Sequence, residues 1–277
     1  MHRPVRLLFP AVVTPEKMEL QIKQKNDFQY VEEGTGEVLL LLHGLFGALS
    51  NWQDVVAEFS ADYRVIIPLL PIYDMPLTKA GVPGLVQFVE DFLAEIGLTE
   101  PCTVLGNSLG GHVALVYTLR NQARVSRLVL TGSSGLFEDG MGGSFPKRGN
   151  YGYVQEKVAY TFYDPTVATR ELVDEVFNVT NSNSKCLRII SIARSAQRHN
   201  LSKELHKIQV PALLVWGLND TITPPVVAHE FNRLLSNSEL RFLDHCCHAP
   251  MMERPQAFNQ LLRQFLVKNQ IGVNSVG

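Results

Sequence analysis

The sequence predicts a doubly wound, mostly parallel α/β sheet interrupted once by a helical insertion. Three observations point there. Unbroken apolar runs, such as Val38-Leu39-Leu40-Leu41-Leu42 and Ala212-Leu213-Leu214-Val215-Trp216, have the character of strands buried on both faces. Segments with apolar residues at helical spacing, such as Leu85, Phe88, Phe92 and Ile96, alternate with those runs. Between residues 133 and 207 the alternation stops, and helix-like segments follow one another without a strongly strand-like run. The chain has 277 residues with 45% hydrophobic content, ample for a large core. The expected organisation is a core formed by residues 1–132 and 208–277, split by a helical cap or lid at 133–207.

Taken in order, Met18 to Gln24 and Asp27 to Glu33 read as two strands of a hairpin joined at Lys25-Asn26. Val38 to Leu42 follows as a central strand and ends in His43-Gly44-Leu45-Phe46-Gly47. Trp52, Val55, Val56 and Phe59 are spaced for a helix, Tyr63 to Leu69 is the next buried strand, and the helix through Leu85 and Ile96 comes after it. Cys102-Thr103-Val104-Leu105 leads as a strand into Gly106-Asn107-Ser108-Leu109-Gly110, and a helix-like stretch runs on from Gly111 to Leu119. Arg127 to Thr131 is another strand. In the insertion, Gly135 to Tyr153 is glycine-rich and aperiodic, and helices are expected around Val154 to Phe162, Thr166 to Phe177 and Ser184 to Ala196. Alternation resumes with the strand Ala212 to Trp216, a helix from Val226 to Leu235, a strand from Glu239 to Leu243 and a closing helix from Pro255 to Val267.

A net charge of −2, spread along the chain, gives no reason to expect nucleic acid or an anionic membrane surface as partner. No apolar stretch reaches membrane-spanning length. Arg3 and Arg6 before Leu7-Leu8-Phe9 faintly resemble a secretion signal, but Pro10 breaks the run and no small-residue cleavage site follows, so a cytoplasmic protein is expected. Cys102, Cys186, Cys246 and Cys247 fit no zinc or redox spacing. The adjacent pair Cys246-Cys247 reads as small buried residues at a strand end.

Gly106-Asn107-Ser108-Leu109-Gly110 carries the chemistry. A serine on a sharp strand-to-helix turn has its hydroxyl pushed out at the end of a sheet, and the flanking glycines let neighbouring backbone approach. A serine hydroxyl needs a base, and the base an orienting acid. His248 follows the last strand and is a candidate base, with His245 as rival. Asp220, in Trp216-Gly217-Leu218-Asn219-Asp220, is the candidate acid, and Asp244 a weaker one. Acyl transfer also needs oxyanion donors. The backbone N–H of Leu109 is one, and Leu45, or failing it Phe46, the other, with His43 in a structural role. All these residues stand just after strands, where ligands bind in open α/β sheets. The chemistry calls for no metal and no organic cofactor.

The chain from Met18 onward resembles the α/β-hydrolase superfamily. The His-Gly turn, the serine elbow, the strand ending in Trp-Gly-x-x-Asp and the run His-x-Pro-x-x-Glu-x-Pro stand in that superfamily's order. The resemblance implies Ser108 as nucleophile, Asp220 as acid and His248, rather than His245, as base; it excludes an aspartate nucleophile. Two departures touch the cleft rim. Cys247 stands where many relatives have glycine, and Leu70 to Leu77 lacks their Asp-x-x-Gly-x-Gly pattern.

Asn107 in the elbow resembles the carbon–carbon hydrolases that split meta-cleavage products of aromatic catabolism. Their cap arginine and its aromatic neighbour fall at Val176-Phe177, and Ala249 replaces their tryptophan. Without the arginine a dianionic dienoate lacks its counter-charge. The expected function is therefore a serine hydrolase acting on a small-molecule carboxylic ester or related carbonyl compound, with a carbon–carbon hydrolase as alternative. A small-ligand receptor with a retained triad is the reading of another class. Asn107, Phe137, Phe162 and Phe177 are expected to bind substrate, Phe145, Tyr151 and Tyr153 to be further lining candidates, and Gly140 to Gly152 to serve as a hinge.

Overall fold

Successive strand side chains point to opposite faces, and β3 (Val38–Leu42) divides its leucines accordingly. Leu40 and Leu42 pack into one apolar layer, Leu39 and Leu41 into the other, all without solvent exposure. The computed structural model describes residues 20–47, 50–137 and 149–270. Among them β3 lies inside an eight-stranded sheet ordered β1 (Lys23–Lys25), β2 (Phe28–Glu33), β4 (Arg64–Pro68), β3, β5 (Cys102–Asn107), β6 (Val125–Thr131), β7 (Ala212–Gly217) and β8 (Ser238–Leu243). From β4 onward neighbouring strands are parallel, and only β1 and β2 run antiparallel at one edge. A continuous apolar run suits a strand covered on both sides.

The covering layers follow from helix stripes. On one face lie α2 (Val82–Glu95), α3 (Leu109–Arg120) and α7 (Pro225–Leu234). On the other lie α1 (Gln53–Phe59), the short α8 (Pro250–Glu253) and α9 (Pro255–Lys268). In α2 the buried residues Val82, Leu85, Val86, Val89, Phe92 and Leu93 form one stripe. The helix begins before Leu85 because Pro83 is preset for a first turn. By contrast α3 is buried from Leu109 through Thr118, the mark of a central helix.

Arg127 closes the sheet onto α9. Its guanidinium is fully buried, donates to Thr103 Oγ1 at 2.9 Å and to the carbonyls of Leu266 and Asn269 at 3.0 Å each, and pairs with Glu37. Burial lowers its pKa to about 10, so it still carries its charge at neutral pH.

Between β6 and β7 stand α4 (Tyr151–Ala159), α5 (Arg170–Asn181) and α6 (Asn183–Arg198). Val154, Val158, Val173 and Val176 give them a small core of their own. Side-chain caps set their ends. Asn150 caps α4, Thr169 caps α5 and Ser182 caps α6, each accepting from a backbone N–H of the first turn. The second of these helices therefore starts later than Thr166. Asp164 holds Thr166 in a short turn before it, through the backbone N–H at 2.9 Å and the hydroxyl at 2.7 Å.

Two other expectations shift. The first strand is only Lys23–Lys25 among the described residues, and its hairpin turns at Asn26-Asp27, where Asn26 takes a left-handed φ of 50°. The charged start of the chain, Phe145 and most of Gly140 to Gly152 lie outside the described residues. Among those described, no helix is long and apolar enough to cross a membrane.

The Arg127 hub yields a stability prediction. Arg127→Ala leaves Glu37 and two α9 carbonyls without their partner, and should lower unfolding free energy by about 3 kcal/mol or more. The urea midpoint measures it; an unchanged midpoint means α9 does not rely on this contact.

Candidate active site

The chain leaves β5 and enters α3 within one residue, Ser108. This is possible only with a strained backbone: Ser108 has φ 54° and ψ −120°, a region side-chain-bearing residues rarely occupy. Surrounding hydrogen bonds hold the strain. Ser108 N–H donates to Thr131 O at 3.1 Å, and its carbonyl accepts from the N–H of Ser134 at 3.1 Å and of His112 at 3.2 Å. The glycines on either side are steric necessities. A Cβ at Gly106 would strike the Gly110 carbonyl, and one at Gly110 the backbone of Leu42 and His43.

The elbow opens on a cavity of about 300 Å³, whose wall includes Ser108, Asn107, Leu109, Leu45, Phe46, Phe162 and His248. Behind His248, Asp220 is buried and meets Nδ1 at 3.0 Å through Oδ2 and 3.1 Å through Oδ1. Asp220 is itself fixed by local donors. The N–H groups of Ile222 and Thr223 reach Oδ1 at 2.9 Å each, and the Thr223 hydroxyl reaches Oδ2 at 2.9 Å. Burial alone would push this carboxyl up. The His248 ring and the two backbone donors outweigh that and hold it below the ordinary aspartate range, so it stays ionised at neutral pH.

His245 is not at the cavity. Its φ of 50° turns the chain, its ring packs edge-on against Tyr163, and it pairs with Asp244 at 3.3 Å on the exposed surface. The geometry thus joins His248, not His245, to Asp220. His43 lies below the turn after β3. Its Nε2 accepts from Leu70 N–H at 3.0 Å, and its Nδ1 lies 2.9 Å from Gly44 O, an arrangement that suits a neutral ring donating from Nδ1. Burial lowers its pKa to about 4.

The residues expected to carry the oxyanion donors, Leu109 and Leu45 or Phe46, all line the cavity. Leu109 begins α3, so its N–H is one of the first-turn donors that the helix leaves unused. Leu45 and Phe46 line the wall opposite, and Tyr73 fixes the peptide between them by donating to Leu45 O at 2.7 Å.

The aromatic expectations divide. Phe162 lines the cavity. Phe137 does not: it follows Leu136 away from the strand ends and lies half-exposed in a separate depression beside His229 and Arg233 of α7. Phe177 sits on the far side of α5, packed edge-on against Tyr151, and serves the small helical core. Asn107 reaches the cavity, but its Nδ2 donates to the carbonyls of Thr131 and His248 at 3.1 Å each, tying the histidine loop to the sheet. Cys246 and Cys247 are buried free thiols beside that loop, and burial raises the pKa of both.

The sequence reading gave no role to three residues that support the site, although Glu253 stands in its His-x-Pro-x-x-Glu-x-Pro run. Thr223 is one, and the Asp-x-x-Thr spacing from Asp220 was the available signal for a side chain folding back. Glu253 is the second. Its Oε1 accepts from the N–H of Cys247 at 2.9 Å and of Ala249 at 3.4 Å, on either side of His248, and its Oε2 accepts from Tyr163 N–H at 2.7 Å. Burial pushes this carboxyl up, and the backbone donors recover only part of the shift. Thr161 is the third, accepting His248 N–H at 3.2 Å through its carbonyl. The turn after α4 is thereby bonded to the histidine loop.

A mostly parallel sheet with a serine elbow and a carboxylate–histidine pair at its strand ends defines an enzyme of the α/β-hydrolase class. The family model described as alpha/beta hydrolase family matches residues 39–261, and the chain belongs to that family. A solved alpha/beta hydrolase enzyme from the metagenome of lagoon sediments at Mar Chica, Morocco, shares 38% identity at a TM-score of 0.74, over 90% of this chain and 98% of that one. The 2-hydroxy-6-oxo-6-(2'-aminophenyl)hexa-2,4-dienoic acid hydrolase of Metapseudomonas resinovorans is 25% identical over 86% of this chain and 87% of its own length. A monoacylglycerol lipase of Mus musculus is 23% identical over 90% and 82%.

Two predictions follow from the buried ionisable groups. His43 has an ordinary value of 6.5 and about 4 when folded, so the unfolded chain binds the extra proton. The stability linked to it is complete above pH 6.5 and is lost as pH falls towards 4. His43→Asn, which keeps a donor and an acceptor, should reduce proton uptake on unfolding in that window by about one; an unchanged slope would mean that the ring is not held neutral. Glu253→Ala frees the amides around His248 and should lower kcat by about tenfold or more, with little change in KM. Steady-state kinetics on any turned-over substrate would show it, and an equal kcat would reduce Glu253 to packing.

Proposed function

We propose that this enzyme hydrolyses small-molecule carboxylic esters through an acyl-serine intermediate. The observation that carries the reading is the meeting of Ser108 and the Asp220–His248 pair at one largely apolar cavity whose described wall contains no arginine. In the proposed cycle His248 takes the Ser108 proton at Nε2 as Oγ attacks the ester carbonyl. Asp220 holds Nδ1–H and stabilises the imidazolium. The N–H of Leu109 and that of Leu45, with Phe46 as second choice, receive the oxyanion. Collapse breaks the acyl–oxygen bond, and His248 hands its proton to the departing alcohol. Water then attacks the acyl group, His248 takes a proton from it, and breakdown of the second tetrahedral species releases the acid and returns the proton to Ser108. The helices between β6 and β7 act as a cap that forms the substrate pocket.

Carbon–carbon hydrolysis of a dienoate is the second reading. Asn107 and the likeness to the Metapseudomonas dienoic acid hydrolase favour it. Against it, Val176 puts an aliphatic group on the cavity wall where those hydrolases' cap arginine would stand, and Ala249 one where their tryptophan would.

A fluorophosphonate probe is expected to label Ser108, and Ser108→Ala to lose labelling and reduce p-nitrophenyl ester turnover by about 10³-fold or more. Hydrolysis retained in that variant would sink the mechanism. His248→Ala should be as inactive, while His245→Ala stays close to wild type. Running a dienoate substrate beside the esters separates the two readings.

A further inference from the structure

The wall of the cavity formed by α4, α5 and α6 is mostly aliphatic, with Tyr153 its aromatic member and Lys157, Thr180 and Gln197 its polar ones, and this bears on what the enzyme accepts. Val154 and Val158 come from α4, Leu172 and Val176 from α5, and Ile192 and Ala193 from α6. Two threonines in the wall present no free hydroxyl proton to a ligand. Thr180 donates to Val176 O at 2.9 Å and to Phe177 O at 3.1 Å, and Thr161 donates to Val158 O at 2.7 Å. The wall includes one lysine, Lys157. Its ammonium lies 5.6 Å from the ring centre of Tyr153, also on the wall, and 5.7 Å from that of the exposed Tyr160.

We infer that this cavity is an acyl-chain site for uncharged, flexible aliphatic acids of about six to ten carbons, with Ala193 and Leu172 setting its length. The inference deepens the ester reading and rests on it. Size gives the range. An apolar cavity of about 150 Å³ holds benzene, and about 300 Å³ therefore holds roughly a dozen heavy atoms, the ester group included. Wall chemistry gives the class. Each methylene that leaves water for this surface favours binding by about 0.8 kcal/mol, a factor of about four. A carboxylate at the chain end would lose its hydration among Val154, Val158, Leu172, Val176 and Ile192. Ala193 is a small residue on the wall from α6, and Leu172 a large one on the wall from α5.

The test is a series of p-nitrophenyl esters from acetate to dodecanoate, with the mono-p-nitrophenyl ester of adipic acid beside the hexanoate, run on the full chain. In the wild type, kcat/KM should climb by up to about fourfold per methylene to an optimum between hexanoate and decanoate. The adipate hemiester should be at least about tenfold poorer than hexanoate. Ala193→Leu should move the optimum to shorter chains and Leu172→Ala to longer ones. The opposite directions keep a general loss of folding from imitating the result, and either variant decides if the other does not fold. A wild-type optimum at acetate, a hemiester as good as hexanoate, or an optimum that neither substitution moves would overturn the acyl-site assignment while leaving ester hydrolysis intact. Turnover of no ester at all would instead overturn the ester reading, and this inference with it.

Discussion

The crossing of α3 over the end of β3 is the constraint on which the site depends. The helix must start immediately after β5 and pass close to the backbone of Leu42 and His43, which leaves no space for a side chain at Gly110. Gly106 is closed in the same way by the Gly110 carbonyl. With both neighbours squeezed, the remaining turn falls on Ser108, which takes a left-handed φ and projects into the cavity. Strain of this kind costs of order 1–3 kcal/mol and persists only where surrounding structure over-determines it. Here the bonds to Thr131, Ser134 and His112 do so. A hydroxyl on a relaxed loop would sample many directions; this one is held to one.

His248 and Asp220 are held differently, on loops, and backbone bonds supply the rigidity. Asp220 is bound by the turn that follows it, so its carboxylate is oriented before the histidine arrives. The His248 loop is gripped from three sides: Asn107 holds its carbonyl, Thr161 its N–H, and Glu253 the amides before and after it. Asn107 also neighbours the serine, and Thr161 belongs to the turn after α4. Elbow, histidine loop and inserted helices are therefore joined through a few short bonds, and a displacement of one is felt by the others.

The cavity combines these parts with an apolar room. Its reactive end is polar and made largely of backbone, while its far walls are aliphatic and come from helices outside the sheet's regular alternation. The division separates reaction from selection. In the proposed reaction the sheet ends supply charge, strain and donors, and the inserted helices select the chain. The proposed separation would also fit relatives of similar sequence that include a dienoic acid hydrolase and a monoacylglycerol lipase.

By itself the sequence determined what is periodic or short-range: the buried strands, the stripes of α2 and α9, and the serine turn with its paired glycines. Those features are written in neighbouring residues, because strand and helix periods and steric demands at a turn act over a few positions. Helix ends were read less well: the second inserted helix was expected from Thr166, but the Asp164 turn holds Thr166 outside it and Thr169 caps its start. Residue spacing left His245 and His248 open and the resemblance favoured His248; the tertiary structure brings the His248 ring to Asp220 and leaves His245, with its left-handed φ, beside Asp244 and Tyr163. It likewise sent Phe162 to the cavity, Phe137 to the surface and Phe177 into the helical core, which composition treats alike. It also showed what Glu253 of the His-x-Pro-x-x-Glu-x-Pro run holds, since its partners are amides with no signature in the sequence. Side-chain direction and backbone partnership arise from contacts between distant segments, so they become definite only when the chain has folded.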